Sequence, residues 1–186
     1  MNEINEPAVA LIELRSIARG IKTADEMVKK APIRLMEART VCPGKYIIVV
    51  TGEVGSVEEA YKAGIETGKE MVVDDLFLPN AHEQLIPAME ACVEVDKIVS
   101  LGILETFSVA SVIRSADSAA KTADITLIEL RMANGLGGKS FFTMTGELNE
   151  VEAAMEAGVS LIEEEGALLC NEIIPNPHND INLKLL

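Results

Sequence analysis

An internal repeat is the feature that most constrains how this 186-residue chain can fold. Shifting the sequence by 92 positions places residues 12–39 on residues 104–131 with 12 identities among 28 positions. A shift of 94 then places residues 45–64 on residues 139–158 with 9 identities among 20 positions. Two segments this similar are expected to fold alike, and repeated segments of this size are usually separate structural units. The chain is therefore predicted to be a tandem duplication of one small domain.

The closing motif of each copy extends the repeat, whose joint is predicted near residues 90 to 98. At a shift of 96, Leu78-Pro79-Asn80-Ala81-His82 falls on Ile174-Pro175-Asn176-Pro177-His178. The two predicted domains are residues 1–93 and residues 94–186. Because His82 and His178 occur in both copies, they are predicted to have a structural role, such as forming a turn or capping a helix. A catalytic histidine would be expected in one copy only.

The first half of each copy has the pattern of a strand, a helix and a hairpin. In the first copy the apolar run Val9–Leu14 predicts a strand, and Thr23–Lys30 predicts a helix because its apolar residues recur at helical spacing. Ile33–Val41 alternates between apolar and polar residues, and Tyr46–Val50 is a continuous apolar run. These two segments predict strands joined by a short hairpin loop.

The second half of each copy adds a helix and a last strand. Ser56 precedes a helical pattern and is predicted to be its N-cap, with the helix reaching about Lys69. Met71–Val73 begins the last predicted strand. This order predicts an α/β fold in which each domain is a mainly antiparallel four-stranded sheet with helices packed on it. A doubly wound parallel sheet is excluded because the central hairpin leaves no room for a crossover helix.

The charge and the hydropathy exclude two classes of partner. The chain has 16 basic and 30 acidic residues, which gives a formal net charge of −14, and such a surface repels a nucleic acid backbone. No apolar run approaches the roughly 20 residues needed to span a bilayer. Met1–Pro7 carries acidic residues where a signal peptide would carry basic ones. We therefore expect no nucleic acid partner, no membrane partner and a cytoplasmic location.

Three cysteines, Cys42, Cys92 and Cys170, are the candidate thiol ligands. They are odd in number and form no CxxC pair, which argues against a disulfide framework and against a metal site contained in one chain. Cys92 and Cys170 have apolar neighbours and are predicted to be buried and unreactive. Cys42 lies in the predicted hairpin loop, where Pro43 fixes φ and Gly44 allows a close approach of the backbone to a ligand. The residues alone leave a free thiol and a metal ligand both open.

The repeat and its motifs resemble the bacterial microcompartment shell proteins. The supporting motifs are Ala24-Asp25-Glu26-Met27-Val28-Lys29, Thr51-Gly52-Glu53-Val54 and the closing Ile174-Pro175-Asn176-Pro177-His178. The resemblance is to the tandem-domain class, whose homotrimers imitate a hexagon. It implies two tandem copies of the shell domain, a location in the shell, and other shell proteins as partners. It also implies that Lys29 and Lys121 lie at the edges where neighbouring tiles meet.

Two loops are similar to those of the iron–sulfur-carrying tandem shell protein of propanediol-utilisation microcompartments. They are Thr40-Val41-Cys42-Pro43-Gly44-Lys45 and its counterpart in the second copy, Asn134-Gly135-Leu136-Gly137-Gly138-Lys139. This resemblance implies one [4Fe-4S] cluster per trimer, with Cys42 as the metal ligand and Pro43 and Gly44 beside the cofactor. It also implies electron transfer across the shell. Asn134, Gly135, Leu136, Gly137 and Gly138 are implied to form a pore loop.

Two other functions remain open at this stage. One is a shell tile with an open metabolite pore and no cluster. The other is a regulatory α/β oligomer that binds a small ligand between its subunits. An enzyme is not expected, because the sequence contains neither a Ser/His/Asp set nor a recognisable metal-ligand spacing.

Overall fold

The computed structural model describes residues 7–181; the acidic segment 1–6 and residues 182–186 lie outside the described residues. The chain divides into two compact units, Met1–Ala81 and His82–Leu186. The repeat alone placed residues 82–93 in the first domain, but here they lie in the second unit, where a short helix within them contacts its sheet. Among residues 7–181, no helix combines the length and the apolar character that crossing a bilayer requires.

The first unit is one antiparallel sheet with two helices. Its elements are β1 (Ala8–Leu14), α1 (Ile17–Lys30), β2 (Arg34–Val41), β3 (Lys45–Gly52), α2 (Val54–Gly68), a single 3-10 turn (Lys69–Met71) and β4 (Val72–Leu78). The four strands are ordered β2-β3-β1-β4, and every neighbouring pair is antiparallel. The predicted fold class and the predicted order of elements are confirmed for this copy.

The second unit repeats this topology after one additional short helix. Its elements are α3 (Leu85–Met89), β5 (Ser100–Thr106), α4 (Val109–Thr122), β6 (Thr126–Arg131), β7 (Ser140–Gly146), α5 (Leu148–Glu163) and β8 (Leu168–Pro175). The strands are ordered β6-β7-β5-β8 and are again antiparallel throughout. The two copies therefore share one fold, with β2 and β6 as corresponding edge strands.

The core of the first unit lies between its sheet and its helices. All seven residues of β1 are buried. Alternate side chains of this strand, from Ala8 to Leu14, pack in one cluster with Met27 of α1 and Ala60 of α2. Because successive side chains of a strand point to opposite faces, this alternation is what places both helices on the same face of the sheet.

Two predicted helix starts are wrong, for reasons of capping. Helix α1 begins at Ile17 rather than Thr23, because the Ser16 side chain accepts the Arg19 N–H at 3.3 Å and acts as the N-cap. Ser56 is not a cap but lies within the first turn of α2, which begins at Val54. There the Val57 N–H already donates to the Glu53 carbonyl at 2.9 Å.

Candidate functional site

The hairpin between β2 and β3 presents an exposed thiol. Its loop consists of Cys42, Pro43 and Gly44, all exposed, between the paired strand ends Val41 and Lys45. Cys42 forms no disulfide. Gly44 has a φ of +79°, in the left-handed region that favours glycine, and a Cβ added there would meet no atom within 4 Å. The loop therefore offers a thiol next to open space and next to backbone that no side chain shields.

An ion pair holds the base of this hairpin against the central strand. The ammonium of Lys45 lies 3.0 Å from the carboxylate of Glu13 on β1, and the Glu13 side chain is almost completely buried. The second copy has the corresponding pair, with Lys139 Nζ at 3.8 Å from Glu105. Because β1 is the buried centre of the sheet, this contact fixes where the hairpin tip, and with it Cys42, lies relative to the sheet.

The corresponding loop of the second copy has different chemistry. It is longer, running from residue 132 to residue 139, and it contains no cysteine. Gly135, Gly137 and Gly138 have φ values of +73°, +65° and +91°. Asn134 is exposed and Leu136 is half-buried. The two copies thus place unlike loops at equivalent hairpins, and only the loop of the first copy contains a cysteine.

Each of the first helices of the two copies carries a lysine paired within its own helix. Lys29 forms a hydrogen-bonded ion pair with Asp25, and Lys121 lies 2.6 Å from Asp117. The hydrogen bond that Lys29 donates to the Asp25 carboxylate, reinforced by the negative charge of that carboxylate, raises the pKa of Lys29 above its ordinary value. The Lys29 side chain is largely exposed and that of Lys121 partly so. Both lysines therefore carry their charge at accessible positions in the last turns of α1 and α4.

The two repeated histidines form equivalent turns, which confirms their predicted structural role. His82 Nδ1 accepts the Gln84 N–H at 3.3 Å. His178 Nδ1 accepts the Asp180 N–H at 3.2 Å. Each ring therefore satisfies a backbone donor two residues further along the chain.

The prediction that Cys92 and Cys170 are buried is wrong, since both are exposed. Cys92 follows the short helix α3 in a loop, and its N–H donates to the Pro87 carbonyl at 3.0 Å. Cys170 lies on β8, an edge strand whose residues are mostly exposed. Within residues 7–181, no three His, Cys, Asp or Glu side chains converge on a point where a metal could bind.

The start of the second unit makes contacts that the sequence did not reveal. The His82 N–H donates to Asp117 Oδ1 at 2.7 Å. The Gln84 amide group donates to the Ile125 carbonyl at 2.9 Å, and its oxygen accepts the Leu127 N–H at 2.8 Å. These bonds cover the outer edge of β6 with the segment that precedes α3.

Comparison with known proteins identifies the domain and its relatives. The BMC domain model matches residues 8–81 and residues 100–177, one match for each copy. The bacterial microcompartment shell protein PduT of Citrobacter freundii is 38% identical over 174 residues, which cover 94% of this chain and 95% of PduT. The carboxysome assembly protein CcmO of Synechococcus elongatus is 26% identical over 95% of this chain and 68% of CcmO.

Solved structures give the same result. A crystal structure of a microcompartment protein from Desulfitobacterium hafniense matches with a TM-score of 0.91 and 45% identity, covering 96% of this chain and 99% of the other. The fused permuted hexameric shell protein MSM0275 shares the fold, with a TM-score of 0.62 and 16% identity over 84% of this chain and 81% of the other. The relatives are shell and assembly proteins, which confirms that the chain is not an enzyme. This chain belongs to the BMC-domain family, and it is a structural microcompartment shell protein with two tandem BMC domains.

Proposed function

We propose that three copies of this chain form one pseudohexagonal shell tile with a [4Fe-4S] cluster at its centre, for electron transfer across the shell. The observation that carries the proposal is the exposed Cys42 at a hairpin tip that the second copy occupies with a cysteine-free loop. A trimer then has three such thiols rather than six. The similarity of residues 40–45 to the loop of iron–sulfur-carrying tandem shell proteins supports the same assignment.

The residues at the hairpin tip fit such a cluster in their chemistry. Cysteine thiolates are the usual ligands of Fe–S clusters, and a cluster of four irons takes four ligands. A three-fold axis brings three copies of Cys42 to one point, so the fourth iron takes a water, a small thiol or a group from a partner protein. Pro43 restricts the loop, while Gly44 leaves its backbone open to accommodate the sulfides.

The charge of the protein bears on how such a cluster would behave. When bound, a [4Fe-4S] cluster supplies one-electron transfer. The chain carries a net charge of −14, and a negative field disfavours the addition of an electron to an anionic cluster. We therefore propose that this chain holds the cluster at a low reduction potential.

The glycine-rich loop of the second copy is proposed to be a pore loop at the centre of the tile. Gly135, Gly137 and Gly138 carry no side chains, which suits a place where three copies of each loop crowd around one axis. Asn134 and Leu136 are the two residues of segment 134–138 that have side chains. Without a cluster, the same loops would line a central pore, and the protein would act as a tile that passes small molecules.

Iron and acid-labile sulfide in anaerobically purified protein test the proposal. We expect about four of each per three chains, as one [4Fe-4S] cluster requires. Trimers that hold only background iron after reconstitution would contradict the cluster and leave the shell tile with an open pore. Discrete oligomers that tighten with a metabolite and never form sheets would favour the regulatory function instead.

A further inference from the structure

The segment His82–Leu85 is docked on the helix and edge strand of the second unit. Its His82 N–H donates to Asp117 on α4, and Gln84 bonds to the edge of β6 as described above. Leu85 is completely buried, and α3, which it begins, contacts both β6 and α4. The contact thus combines a charge-assisted hydrogen bond with an apolar anchor.

The end of the second copy forms the same turn, but Ile181, the counterpart of the apolar anchor Leu85, is exposed. The Ile181 N–H donates to the His178 carbonyl at 2.9 Å, as the Leu85 N–H donates to the His82 carbonyl at 2.9 Å. A histidine Nδ1 accepts a backbone N–H in both turns. However, Ile181 is 49% exposed whereas Leu85 is 0% exposed. The segment has the docked shape, but the apolar side chain of Ile181 is only half covered, whereas that of Leu85 is covered completely.

The surface that corresponds to the occupied one is exposed in the first unit. The Asp25 side chain is 52% exposed, against 8% for its counterpart Asp117. Leu35 on the edge strand β2 is 41% exposed, against 0% for its counterpart Leu127 on β6. The first unit therefore has an aspartate and an edge-strand leucine in the places where the second unit receives a docked segment.

Apolar residues extend this exposed surface along α1. Ile17, Ile21 and Val28 are exposed and share one helix face with Asp25, because they are spaced three or four residues apart. Their counterparts on α4 are Val109, Ile113 and Ala120, and all three are buried. We call this face of α1, together with Leu35, the α1–β2 face. An apolar face of this kind, centred on one carboxylate, is typical of a surface that is covered in an assembly.

We propose that segment 178–181 of one chain docks on the α1–β2 face of a second copy of this chain. In this contact the His178 N–H donates to Asp25, and Ile181 packs against Leu35. The inference rests on the proposed trimeric tile, for which it names the contact between chains, and it is independent of the cluster. Both partners are on this chain, and their counterparts 82–85 and α4–β6 already show the geometry within one unit.

The direction of this contact determines what it can build. A tail that binds a face elsewhere on an identical chain makes a head-to-tail interface, which generates a ring when the rotation closes. Asp180 stands where Gln84 stands in the first turn. Its carboxylate can accept the Leu35 N–H but has no donor for a strand carbonyl, so the contact between chains has one hydrogen bond fewer than the one within the chain.

Two complementary variants test the direction and the residues of this contact. Ile181→Asp damages only the tail, and Leu35→Asp damages only the face. We expect each to raise the concentration at which the trimer dissociates by at least about tenfold in sedimentation equilibrium, because each buries a charge at an apolar contact. An equimolar mixture should form dimers that do not grow, since one intact tail and one intact face remain. Leu161→Asp, at a residue that is 46% exposed, is the matched control and should stay trimeric.

The possible results distinguish a failure of the docking contact from a failure of the proposed trimeric tile. If both variants stay as trimeric as the wild type, the docking contact is wrong and the tile stands. A mixture of folded variants that associates no more than either variant alone would also overturn it. A monomeric wild type would overturn the tile together with the contact. Circular dichroism verifies folding, and Ile181→Ser with Leu35→Ser replaces the pair if either aspartate variant unfolds.

Discussion

Replacing Cys42 with serine should reduce the iron content from about four atoms per three chains to background. A serine hydroxyl is nearly the same size as the thiol but is a poor ligand for Fe–S clusters, which select soft thiolates. Because Cys42 is exposed at a loop tip and contributes nothing to the core, the variant should remain folded and trimeric. Iron analysis and visible absorption of anaerobically reconstituted protein measure the loss.

The other two cysteines provide matched controls for this variant. Cys92 and Cys170 are also exposed and unpaired, so they are equally available to bind iron adventitiously. Cys92→Ser and Cys170→Ser should keep the full iron content. Iron that persists in Cys42→Ser and disappears in either control would place the metal elsewhere and refute the assignment of Cys42.

Charge reversal at the two helix lysines should abolish the assembly of tiles into sheets. In the variant Lys29→Asp with Lys121→Asp, each new carboxylate stands four residues from Asp25 or Asp117, so an ion pair becomes a repulsive pair. The new negative charge also lies at an accessible position on an already acidic protein. Electron microscopy should show extended sheets for the wild type and only separate particles for the variant.

A second double variant distinguishes an edge contact from a general effect of charge. Lys62→Asp with Lys97→Asp makes the same change in net charge at two other exposed lysines. This control should still form sheets under the same ionic conditions. Sheets of undiminished extent in Lys29→Asp with Lys121→Asp, or a loss of sheets in the control alone, would show that the edge assignment is wrong. Sedimentation must give trimers for both.

The order of strands and helices could be predicted because the same sequence pattern occurs in both copies of the repeat. Period-two and period-3.6 patterns agreed between copies, so the β1 run and the hairpin Ile33–Val50 were recognisable. The starts of the helices could not be predicted, because each depends on a single hydrogen bond donated by a backbone N–H. Ser16 caps α1 seven residues before Thr23, where the clearest helical pattern begins, and Glu53 rather than Ser56 precedes α2.

Exposure was the property that sequence reasoning predicted least well. Apolar neighbours suggested that Cys170 is buried, yet the neighbours of a residue along the chain do not reveal whether its face of an edge strand is covered. The docking of Gln84 on β6 was missed for a related reason, because it joins residues 41 and 43 positions apart. The sequence signal that could have indicated this docking was the repetition of Asp25 as Asp117, together with the repeated histidine.

The metal site could not be predicted from the residues in the way that the fold could. From the residues alone, Cys42 could be a free thiol or a ligand, and only family resemblance favours the cluster. The structure adds that this thiol is exposed at a restrained hairpin tip and that, within residues 7–181, no three potential ligands converge. The proposed cluster takes one Cys42 thiolate from each of three chains, which makes the stoichiometry of iron per trimer the decisive property.

Native mass spectrometry of anaerobically purified protein tests the central claim most directly, because it counts chains and metal atoms in one particle. We expect a species of three 20.0 kDa chains plus the mass of one [4Fe-4S] cluster. We also expect collisional unfolding to release the cluster when the chains separate, since each chain contributes only Cys42 to the proposed cluster. A trimer without added mass, or a monomer that carries the whole cluster, would contradict the account.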